Sequence, residues 1–131
     1  MIKRRNAIRG QRGQTLVEFT IILPILLLLL LGILQFGVVF NNYITLTDAV
    51  RAGARQGAVG RSIADPVGGA VSRVRASAVG LDQSQLGVTV TSAWTQGADV
   101  TVTATYPYSI SLLGMVVKTG SLTSKSTERV E

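Results

Sequence analysis

The chain has 131 residues, 47% of them hydrophobic, with thirteen Lys and Arg against seven Asp and Glu and with neither Cys nor His. That length leaves room for one small domain beside any membrane segment. The missing Cys and His exclude disulfides, thiolate metal sites and the usual general base.

The excess of +6 does not point to nucleic acid, because of where it lies. Lys3, Arg4, Arg5, Arg9 and Arg12 all precede the first acid, and the remainder carries eight bases against seven acids. Such a leader beside an apolar run is the positive-inside pattern, which predicts a cytoplasmic N-terminus.

Residues 19–40 are 22 consecutive uncharged positions. As a helix rising about 1.5 Å per residue they reach about 33 Å, enough for a hydrocarbon core of about 30 Å. The run is longer than the apolar region of a secretory signal peptide and ends in "FNNYI", which is no small-residue cleavage site. Pro24 falls in the first turns of this span. It leaves the Thr20 carbonyl without a helical partner, which predicts a kink or a loosened turn where Thr20 itself helps to satisfy the freed groups.

Helical pattern continues outward to about residue 59. Ala49, Gly53 and Gly57 recur at spacing four, and Arg51 and Arg55 recur on another face. Small residues so placed let another element approach closely: either this chain's own domain or a neighbouring subunit. "GRSIADPVGG" reads as a loop, and the sequence after it as a short second helix with Val67, Ala70, Val71, Val74 and Ala78 on one face and Gly80 as its stop.

The period then changes to two. "LGVTVTSAW" and "ADVTVTATY" alternate Val with Thr and predict two strands of a hairpin. "PYSISLLGMVVKTG" is an apolar connection that packs on the sheet or the membrane surface, and "SLTSKSTERVE" predicts a third strand with an open edge. The fold class expected is α+β: a long N-terminal helix with a transmembrane half, a short second helix and a small antiparallel sheet of about three strands. With one Trp and few large aliphatics outside the span, the core should be thin. Trp94, Tyr106 and Tyr108 are the aromatic candidates for a binding patch, and their places in the pattern suit core or membrane interface better.

No enzyme is indicated. Asp48, Asp65, Asp82 and Asp99 stand singly beside turns and helix starts, as caps do, and the Ser residues have no His or Lys placed to activate them. No cofactor or metal is called for.

The most informative stretch is "RGQTLVEF". Gly13 separates the basic leader from the apolar helix, and Glu18 is the fifth residue after it. This spacing resembles the processing site of type IV pilin-like precursors, which a prepilin peptidase cuts after Gly. The Glu18–Phe19 pair behind a short leader is similar to the TadE-like minor pseudopilins of tight-adherence (Flp) pili, as are "AVRAGARQGA" and the closing "LTSKSTERVE". Gln14 departs from the Phe that follows the cut in the best-known type IV pilins. The soluble part is larger than that of a major Flp pilin, which points to a minor subunit.

The resemblance implies a layout of leader 1–13, transmembrane helix 14–41, outward extension and loop 42–63, and extracytoplasmic domain 64–131. It implies cleavage between Gly13 and Gln14, and a Glu18 that meets the N-terminal amine of a neighbouring subunit. The partners implied are the inner membrane, the prepilin peptidase, other pilin subunits and the assembly platform, with no nucleic acid or small-molecule substrate. A different class stays open: an uncleaved signal-anchor protein serving as a structural component of an envelope or secretion complex.

Overall fold

The computed structural model describes residues 5–131, with side chains from Gly13 onward. Lys3 and Arg4, and the side chains of Arg5, Arg9 and Arg12, lie outside the described residues. One helix, α1 (Arg5–Ala58), takes up the first part of the chain, followed by α2 (Pro66–Ser77), β1 (Gly87–Thr91), β2 (Asp99–Leu112) and β3 (Met115–Arg129). The sheet is antiparallel in the order β1-β2-β3, so the last strand is an edge as expected.

From Ile21 to Leu34 α1 carries no polar side chain, and every residue from Gly13 to Leu30 is exposed. No protein surface covers it, which is the pattern of a segment solvated by lipid. α1 runs without interruption through Pro24. The Thr20 hydroxyl donates to the Leu16 carbonyl at 2.8 Å, one turn earlier, and so does not serve the carbonyl that Pro24 leaves free.

Burial begins in earnest where the domain starts. Leu46, Ala49, Val50, Gly53, Ala54, Gly57 and Ala58 are buried at helical spacing, so this stripe is the helix's contribution to the core. α2 lies across it, with Ala70 and Val74 buried, while Val67, expected on the same face, is exposed. Asp65 explains where α2 starts: its Oδ1 accepts from the Gly68 N–H at 2.8 Å, and Pro66 follows at the first helical position. Replacing Asp65 with Ala should lower domain stability by about 1 kcal/mol, read by denaturant unfolding of the detergent-solubilised chain. The helix ends at Ser77, with Ala78 as its cap, and Gly80 (φ +85°) takes the turn beyond.

Strand alternation supplies the opposite wall. Val100, Val102 and Ala104 of β2 point inward, with Ser124 of β3 and Val130 just beyond it. The largest fully buried side chains are one Leu and five Val, so the core is as thin as the composition predicts. Val130 bonds to the 97–98 turn, and the Glu131 N–H donates to the Ala58 carbonyl at 3.1 Å, which ties the end of β3 to the end of α1. Trp94 and Tyr106 pack against the core, and the Tyr106 hydroxyl accepts from the Asp82 N–H at 3.2 Å.

The apolar connection is a continuation of the sheet. β2 and β3 stay paired to Leu112 and Met115, joined by a two-residue turn at Leu113 and Gly114. Tyr108 lies across from Gly120 with its ring over the glycine, where a Cβ would stand 2.8 Å from the ring edge.

Candidate functional site: the N-terminal helix and its docking face

Gly13 lies inside α1, with no atom close to where its Cβ would be. The helix therefore crosses the 13–14 peptide bond unbroken. One turn on, the Gln14 side-chain amide donates to Glu18 Oε1 at 3.2 Å. This is the i,i+4 geometry in which residue 14 and the acid share a face of the helix. Phe19 and Glu18 are both exposed, so the pair is presented outward to whatever surrounds the helix.

Ala49, Gly53 and Gly57 are brought together as a docking face turned toward the chain's own domain. A Cβ at Gly53 would overlap Val74 Cγ2 and come within 3.2 Å of the Ala70 carbonyl. One at Gly57 would lie 2.7 Å from Val100 Cγ1. The close approach that small residues permit is thus used by α2 and β2, leaving Arg51 and Arg55 on the exposed side. Arg51 there makes a 3.8 Å ion pair with Asp48, both well solvated and of little energetic weight.

Two of the acids outside the span have structural work. Asp65 caps α2, and Asp82 holds the 82–85 turn through the Ser84 hydroxyl at 2.6 Å and its N–H at 2.9 Å. Those bonds from Ser84, with a further one from Gln85, hold the Asp82 carboxyl below its ordinary range. Among the described residues no three His, Cys, Asp or Glu gather as a metal site would require.

Sequence reasoning missed Gln35. Its amide donates to the Ser111 carbonyl at 3.0 Å, which fastens the far part of the β2–β3 hairpin to the apolar part of α1. A lone Gln in a run of Leu, Ile and Val was the available signal.

A helix long and apolar enough to cross a membrane once continues into a small α+β domain that it helps to build, a layout that suggests a single-pass membrane protein. Residues 13–55 match the model of the family described as TadE-like protein. That segment is about a third of the chain, and over it the chain is similar to the TadE-like family. The matched segment ends within α1, so the sheet and α2 lie beyond it. No curated protein and no solved structure matches the chain.

Proposed function

We propose that this chain is a minor pilin-like subunit of a tight-adherence pilus, cut after Gly13 by a prepilin peptidase and acting in pilus assembly as a priming, capping or tip component. The supporting observation is the Gln14–Glu18 pair at 3.2 Å. Cleavage creates an amino group on Gln14, one helical turn from Glu18, and removes the five leader charges. The amine and the acid are then complementary charges at the membrane edge. The amine of one subunit can pair with Glu18 of the next as subunits leave the bilayer, which fixes their register.

In this account the N-terminus is cytoplasmic, the domain lies outside the inner membrane, and the partners are the peptidase, the other pilin subunits and the assembly platform. The family is a structural one with no known enzymatic activity. One observation favours the uncleaved signal-anchor reading: α1 is unbroken across the 13–14 bond, which a protease must open locally before it can cut.

The two readings separate at Gly13. Replacing it with Leu places a bulky side chain beside the scissile bond, and the proposal predicts that the intact precursor accumulates on mass analysis while membrane insertion is unchanged. A Gly13→Leu chain that is still shortened at the same bond would remove Gly13 from the role.

A further inference from the structure

β2 descends along α1 in the opposite direction. Val100 packs on Gly57 near the outer end of the helix, and Ser111 receives the hydrogen bond from Gln35. The strand between these points measures about 36 Å and the helix about 33 Å, so the two run side by side over the whole distance. Half-buried positions continue down this face of α1 through Val39 and Gln35 to Leu31.

The bilayer fixes the depth of that lower end. A hydrocarbon core of about 30 Å needs about 20 helical residues, so a core that begins at Phe19 extends to Val38. Gln35 then lies roughly 5 Å inside the hydrocarbon boundary and Leu31 roughly 10 Å inside it. The hairpin tip beside them is therefore at membrane depth.

Its composition matches that depth. Leu113, Met115, Val116 and Val117 are each between 63% and 69% exposed, a contiguous apolar tip left open among the described residues. Lys118 and Thr119 follow at once, where a cationic stem can reach the headgroups. The turn carries a second and independent sign. Leu113 (φ +52°) and Gly114 (φ +81°) form a two-residue type I′ turn, whose first position suits Asn, Asp or Gly. A Leu there is strained, and it places a large apolar group at the extreme tip.

We propose that the β2–β3 hairpin tip, residues 112–117, is a second membrane contact that inserts into the outer part of the leaflet from which α1 emerges. Gln35 holds it there through its hydrogen bond to the Ser111 carbonyl. Beyond Thr105 the hairpin is a two-stranded ribbon, because β1 ends there, and its open edges cannot be buried deeply in hydrocarbon. Insertion is thus limited to the turn, at a depth of about 5–10 Å. The inference depends on α1 crossing the bilayer and not on any role in a pilus.

The chain has no Cys, so a single introduced one reports alone. The full chain carrying Val116→Cys, labelled with an environment-sensitive fluorophore, is placed in phosphatidylcholine–phosphatidylglycerol vesicles that contain nitroxide lipids. Leu27→Cys in the span and Gln96→Cys at the opposite end of the sheet are the controls. The expected result is blue-shifted, quenched emission at 116 and 27 and water-like emission at 96. Adding Leu113→Asn should relieve the strained turn yet reduce quenching at 116, leaving 27 unchanged. Water-like emission at 116 with 27 quenched overturns the proposal while leaving the membrane helix intact. So does shielding at 116 that appears only when another pilin subunit is added and that nitroxide lipids do not quench, since a protein would then be the occupant.

Discussion

Replacing Gly53 with Leu is expected to unseat α2 and cost the domain about 3 kcal/mol or more. Gly53 faces Val74, which is fully buried, and the Ala70 carbonyl, which belongs to helical backbone. Val74 is β-branched and has few rotamers available, and the carbonyl cannot move without shifting α2 as a whole. A thin core has little stability to lose, so an overpacking strain of this size approaches the net stability of a small domain. Gly53→Ala sets a useful contrast. It gains roughly 0.8–1 kcal/mol of helix propensity, which offsets part of the same overlap, so its loss should be clearly smaller. Limited proteolysis in detergent should show the Leu variant cut within residues 60–131 while the apolar helix stays protected. A Leu variant as protease-resistant as the parent would mean that the close α1–α2 approach is not what holds the domain.

The second large effect is expected at Glu18. With Ala in its place the chain should still insert, because the 22-residue apolar run is untouched, but assembled surface pili should fall by on the order of tenfold or more. An unpaired acid at mid-bilayer costs about 2.5–3.5 kcal/mol, equivalent to roughly a hundredfold in an assembly equilibrium. Glu18 sits at the edge of the span, where the cost falls below that range, and tenfold corresponds to about 1.4 kcal/mol. Glu18→Gln is the sharper variant, because it keeps a hydrogen-bond partner for Gln14 and removes only the charge. If charge pairing with a neighbour's amine is the role, Gln should fail as Ala does. Normal piliation with Gln would reduce Glu18 to a hydrogen-bonding residue of the first turns.

Much of this molecule is legible in its sequence because its periods are clean. The uncharged run, the spacing-four face of Ala49, Gly53 and Gly57, and the Val–Thr alternation each impose one local structure, and the helices and strands follow them. The small-residue face did not say which element it meets, since the same close approach suits a domain or a neighbouring subunit. That depended on where α2 and β2 fall in space.

The long arms of the β2–β3 hairpin were the least legible part. Pro107 argues against a strand, yet β1 has already ended opposite Thr105, so an open edge lies where its missing N–H would otherwise be needed. Leu113–Gly114 also lacks the Asn-Gly or Asp-Gly signature by which such turns are recognised. The second departure belongs to the tip proposed to enter the membrane. Gln35 was similarly silent, because one amide in an apolar helix reveals its partner only when the sheet is laid beside it.

The central claim is that this chain is matured as a pilin-like subunit, and the mass of its N-terminus tests that most directly. The membrane-extracted protein is analysed with and without a co-expressed prepilin peptidase, beside a control substrate that the peptidase cuts. The account predicts a chain that begins at Gln14 only when the peptidase is present. An intact leader on this chain, with the control fully cut, would contradict it and leave a signal-anchored envelope protein in its place.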